Sequence, residues 1–120
     1  MADQKYSWHK IATSIDEIEF GSNNIVVVEL KNKTICLGKF NDKIFAFAYH
    51  CPHAGGLLAD GFIDAQGNVV CPMHRYRFNI KNGLNVSGEG YHLKHWPVEI
   101  REKGVFVGLE DTGSFWNIFR

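Results

Sequence analysis

Two short boxes constrain this chain more than anything else in it. Cys51-Pro52-His53 and Cys71-Pro72-Met73-His74 together read C-x-H-x17-C-x2-H. Each box sets one thiol and one imidazole on a short stretch that must turn. The prolines, Pro52 and Pro72, fix φ beside each cysteine and remove a backbone N–H there. Two sulfur and two nitrogen donors, split evenly between two boxes, make Cys51, His53, Cys71 and His74 the candidate metal-binding residues.

Two kinds of centre suit such a set. Zinc takes tetrahedral Cys2His2 sites, although zinc fingers place both cysteines in one box and both histidines in the other. A [2Fe-2S] cluster with mixed ligands takes two cysteines on one iron and two histidines on the other. Each box can then give one ligand to each iron, which would clamp the cluster between the boxes. Neutral imidazoles in place of thiolates leave less negative charge on such a cluster, so it accepts an electron more easily.

The rest of the composition sets bounds. A chain of 120 residues suits one domain, and a core can form without disulfides. Thirteen basic residues balance thirteen acidic ones, which gives no support for a nucleic-acid partner. The opening MADQKYSWHK holds no apolar run of signal-peptide length, and the apolar runs at 25–28 and 44–49 are too short to cross a membrane. The expectation is a cytoplasmic monomer whose three cysteines stay reduced.

Short alternating segments punctuated by turn residues predict an all-β fold. Strands are expected at 25–30, 33–40, 43–49, 68–71, 76–80, 97–101 and 105–109. Asn41-Asp42, Gln66-Gly67, Asn82-Gly83 and Lys103-Gly104 mark turns. Ser14 and Glu17 have the spacing of a capping box, so one helical turn is expected at 14–19. Trp8, Trp96 and most phenylalanines are expected in the core. Cys36, in an alternating strand, reads as a small core hydrophobe. The apolar tail from Asp111 to Arg120 is expected to pack on its own domain. His9, His50, His92 and His95 have no metal-ligand partner at useful spacing, and no nucleophile elbow or phosphate-binding loop is present.

CPHAGGLLADG followed by CPMHRYRFNIKNG resembles the two cluster-binding boxes of Rieske proteins. Glycines at 55, 56, 61 and 83, Leu58 and Phe78 match, and the likeness runs from Trp8 to WPVEI at 96–100. The resemblance implies a single Rieske domain over 1–120, with an antiparallel β-sandwich-like base and a small cluster-binding subdomain at about 44–84. It implies one [2Fe-2S] cluster per chain, with Cys51 and Cys71 on the inner iron and His53 and His74 on the outer one.

Within that family the residues narrow the type. Rieske oxygenase catalytic subunits carry a further mononuclear iron domain that 120 residues do not accommodate. Respiratory and photosynthetic Rieske subunits carry an extra cysteine in each box and join them in a disulfide. The matching positions are Gly56 and Met73, so no disulfide is expected. High-potential relatives place a serine and a tyrosine hydroxyl where this chain has Tyr76 and Phe78, so a low potential is expected, on the order of −150 mV. The position after the second box, often glycine in relatives, is Arg75. With Arg77 it suggests a basic rim. The stretch 87–92, where relatives often have proline, has none.

The resemblance therefore implies an electron carrier rather than an enzyme. It would take electrons from an NAD(P)H-dependent flavoprotein reductase and give them to a terminal ring-hydroxylating oxygenase, docking briefly near His53 and His74. The small subunit of an assimilatory nitrite reductase and a zinc-stabilised interaction module are the alternatives.

Overall fold

A computed structural model describes residues 6–52, 55–73, 75–88 and 90–110. Ten strands carry the chain: β1 (Tyr6–Ala12), β2 (Ile25–Leu30), β3 (Lys33–Phe40), β4 (Lys43–Ala48), β5 (Phe62–Ile63), β6 (Asn68–Val70), β7 (Arg77–Asn79), β8 (His95–Trp96), β9 (Val98–Arg101) and β10 (Gly104–Glu110). Every pairing between them is antiparallel. The fold is all-β, as the alternating segments require. No helix among the described residues is long and apolar enough to cross a membrane.

The chain divides into two compact units. The first joins residues up to Ile18 with those from Pro97 onward. Its sheet runs β1–β10–β9, with a bulge in β1 between Lys10 and Ala12. Val105, Val107 and Leu109 are its buried apolar side chains on β10. Trp8, expected in the core, is only partly buried, lying over Gly108 with the Arg101 guanidinium 5.0 Å from its ring. A stacked cation keeps one face of an indole covered without full burial.

The expected helical turn at 14–19 is shorter and capped differently. It is one 3-10 turn over Ile15–Glu17, and the Ser14 hydroxyl caps nothing. The Thr13 N–H donates to Glu17 Oε1 at 2.8 Å, so the carboxylate is the side chain that caps the turn, beside the backbone bonds from Glu17 N–H to the Ser14 carbonyl and from Ile18 N–H to the Ile15 carbonyl.

The second unit spans Glu19–Trp96 and contains both boxes. A four-stranded sheet, β2–β3–β4–β8, is joined by tight turns. Lys31-Asn32 and Asn41-Asp42 both have two consecutive positive φ angles, the geometry that matches the twist of a hairpin. A smaller sheet, β5–β6–β7, packs beside it. Gly38 on β3 marks the closest approach, since a Cβ there would lie 2.7 Å from Ile63 Cδ1 and 2.9 Å from the Phe47 ring. The core between the sheets contains Ile25, Cys36, Phe47, Leu58, Val69, Phe78, Ile80 and Leu93. Only Phe47 and Phe78 among the described phenylalanines are fully buried, whereas Phe62 is exposed. The tail, from Asp111 onward, lies outside the described residues.

Candidate metal centre

The core of the second unit ends at two sulfurs. Cys51 follows β4 and Cys71 follows β6, and both are buried among the same apolar residues. The two β-hairpins thus deliver one cysteine each to one end of the core. Neither is in a disulfide.

Backbone hydrogen bonds fix each loop. The Cys51 N–H donates to the Gly56 carbonyl at 2.7 Å, and the Gly55 N–H returns to the Cys51 carbonyl at 3.0 Å. The first loop is therefore closed on itself around residues 51–56. In the second, the Cys71 N–H donates to the Tyr76 carbonyl at 2.8 Å. A chain that must reverse between Cys71 and Tyr76 needs a left-handed residue, and Arg75 supplies it at φ +57. Glycine would adopt this conformation without strain, while arginine pays about 1 kcal/mol for its Cβ.

The loops also touch each other. A Cβ on Gly56 would lie 3.1 Å from Met73 Cγ and 3.2 Å from Cys71 Sγ. Gly56 and Met73 are the positions where the disulfide-bearing relatives have cysteines. The two loops close at that point through glycine against methionine, with no covalent bond.

The sulfurs feel each other. Burial pushes the Cys71 thiol up to about 11. The Met73 backbone N–H pulls the other way, and the neighbouring Cys51 thiol adds to the rise. The buried Cys71 thiol is poorly placed to ionise alone, and a bound metal stabilises the thiolate form. Cys36 is different. It lies on β3, fully buried, with its thiol pushed up to about 12 by burial and then by Asp60. Packed between apolar neighbours, it behaves as the core hydrophobe expected.

His53 and His74 lie outside the described residues. Among the other histidines, His92 and His95 lie together, with ring centres 6.0 Å apart. His50 is exposed and packs edge-on to Tyr49, with ring centres 4.9 Å apart. The His92 ring lies 2.9 Å from the Asn82 carbonyl.

Three features escaped the sequence reading. Asn23 donates from Nδ2 to the carbonyls of Ala59 and Gly61, at 2.9 and 2.8 Å, and so ties the segment before β2 to the chain leaving the first box. Gly61 lies so close to β6 that a Cβ would sit 1.9 Å from the Val70 carbonyl oxygen. Asp64 accepts from the N–H groups of Gln66 and Asn68, both at 2.9 Å, and forms the β5–β6 turn. Gln66-Gly67 marked that turn in the sequence, but not the part Asp64 plays in it; the reach of Asn23 across 36 residues had no local sign.

The profile described as the Rieske [2Fe-2S] domain matches residues 7–97. The chain belongs to the Rieske [2Fe-2S] domain family. Its cofactor is accordingly a Rieske-type [2Fe-2S] cluster, and the two free, buried, adjacent cysteines fit the thiolate half of such a site. The chain is 35% identical to human apoptosis-inducing factor 3 over 81 residues, which is 67% of this chain but only 13% of that protein. Its fold is similar to the ferredoxin in a complex of reduced oxygenase and oxidized ferredoxin of carbazole 1,9a-dioxygenase. There the TM-score is 0.70 at 24% identity, covering 84% of this chain and 92% of the other. It is equally similar to a putative NADH-dependent nitrite reductase small subunit from Mycobacterium tuberculosis, with a TM-score of 0.73 at 18% identity over 87% and 96% of the two chains.

Proposed function

We propose that Cys51, His53, Cys71 and His74 hold the cluster and that the chain is a one-electron carrier, a Rieske ferredoxin, between a flavoprotein reductase and a terminal oxygenase. The observation that carries this reading is the meeting of the two boxes. Each brings a buried, free cysteine to the same end of one core, and in each the histidine follows two or three positions later. The bound group supplies reversible one-electron chemistry.

The chain's own residues do the rest. The self-closed 51–56 loop and the Cys71–Tyr76 hydrogen bond hold both sulfurs before any cluster is inserted, so little must move when it binds. Leu58, Val69 and Phe78 keep water away from the cysteine side. His53 and His74 follow the cysteines in sequence, and in this reading a partner meets the imidazole side of the cluster. Such encounters need rapid release and hence a small contact.

The donor is read as an NAD(P)H-dependent flavoprotein and the acceptor as a ring-hydroxylating-type oxygenase. The likeness to a ferredoxin seen with its oxygenase supports this. The likeness to a nitrite reductase small subunit supports a second reading, in which the chain sits permanently on a sirohaem subunit.

Anaerobic coulometric titration tests the carrier reading. One electron per chain should be taken up reversibly at a potential on the order of −150 mV. Uptake of no electron, as for a zinc-holding chain, overturns it. A clearly positive potential overturns the low-potential assignment. A stable complex with a sirohaem subunit in a pull-down selects the second reading.

A further inference from the structure

The small sheet β5–β6–β7 has two unlike faces. Ile63 pairs with Val69, and Val69 with Phe78; this row belongs to the core or packs on it. One residue along, Phe62 pairs with Val70 and Val70 with Arg77. Side chains alternate along a strand, so this second row points away from the core. Val70 is buried at its centre, while Phe62 is 42% exposed on one side and Arg77 is exposed on the other.

A cleft of about 190 Å³ opens beside this row, lined by Asp60, Gly61, Phe62, Val70, Cys71, Pro72 and Arg75. Its walls are chiefly apolar, and Arg75 stands exposed on its rim. Neither Arg75 nor Arg77 is ion-paired with a described residue, and Asp60 is the one acidic group lining the cleft. An exposed aromatic, an apolar cleft and two unpaired guanidinium groups are the composition of a contact hot spot. The chain's formal net charge is zero, so attraction to a charged partner has to come from a local patch.

We propose that this outer face, with Phe62, Pro72, Arg75 and Arg77, is the docking surface for a redox partner with an acidic contact patch. Carboxylates of the partner pair with the two guanidinium groups while an apolar side chain enters the cleft. The inference rests on the ligand assignment above, because Arg75 directly follows His74 and a partner seated here stands beside the cluster. Arginine suits the task, since its planar fork meets a carboxylate in two parallel hydrogen bonds.

Stopped-flow oxidation of the reduced, cluster-bearing protein tests this with two one-electron acceptors. One is cytochrome b5, a haem protein with an acidic contact face, and the other is cytochrome c, whose contact face is basic. The electron leaves the reduced cluster and reduces the ferric haem. Transfer to cytochrome b5 should slow as salt rises. In the double variant Arg75→Gln with Arg77→Gln, the ratio of the cytochrome b5 rate to the cytochrome c rate should fall about tenfold. Arg75→Lys with Arg77→Lys keeps the charge and should keep most of the ratio. An unaltered ratio in the glutamine variant, or equal slowing with both acceptors, overturns the docking surface. Absence of a reducible cluster in the parent protein, seen before any acceptor is added, overturns the carrier reading instead.

Discussion

A methyl group at residue 61 would have nowhere to go. Its carbon would overlap the Val70 carbonyl oxygen at 1.9 Å, so Gly61→Ala must push β5 off β6 and disturb the approach to Cys71. Urea unfolding should show a loss of about 3 kcal/mol, the upper range for overpacking a site that cannot relax. An unaltered midpoint would mean that β5 shifts freely. Phe78 is the other informative residue. It is fully buried in the cluster of side chains that contains both cysteines, and it has no hydroxyl to donate. Phe78→Tyr should place a donor beside a sulfur, stabilise the reduced state and raise the potential. A hydrogen bond worth about 1 kcal/mol more in the reduced state shifts a one-electron couple by roughly 40 mV. Protein-film voltammetry reads this directly, and an unshifted potential would show that residue 78 points away from the cluster.

At the scale of elements, the sequence was most legible where a pattern is long. β2, β3 and β4 run six to eight residues, and their alternation and turn residues located them to within a residue. β5 and β8 have two residues each, too few for a period to register, and exist because a neighbouring strand offers hydrogen bonds. β1, YSWHKIA, mixes polar and apolar residues on both faces, and its pairing with β10 makes it a strand. The expected capping box failed because a single 3-10 turn offers Ser14 no helix to cap. Long-range polar ties are equally silent in sequence. Asn23 links the start of β2 to the 3-10 turn at Leu58–Asp60 and to Gly61. Asn23→Ala leaves two carbonyls without this donor and should cost about 2 kcal/mol in thermal unfolding of the cluster-bearing protein. A change under about 0.5 kcal/mol would mean that water replaces the amide without loss.

For the whole molecule, family and cofactor were legible because a metal centre demands particular donors at particular spacings, and 120 residues held one such set. Gly56 and Met73 also spoke plainly, since a disulfide needs two cysteines. The two arginines of the proposed docking face were legible as a basic rim, whereas Phe62 was not, because the outer surface it shares with them exists only once β5, β6 and β7 pair. Arg75 looked like a departure in sequence; in the fold it occupies the left-handed turn after the second box and the rim of the cleft. Pulsed electron paramagnetic resonance of the dithionite-reduced protein addresses the four ligands most directly. Two strongly coupled imidazole nitrogens should appear in the parent protein. His53→Ala and His74→Ala should each abolish that pattern or the cluster itself. A reduced cluster with no directly bound nitrogen, or one that keeps both couplings after either substitution, would contradict the assignment of Cys51, His53, Cys71 and His74.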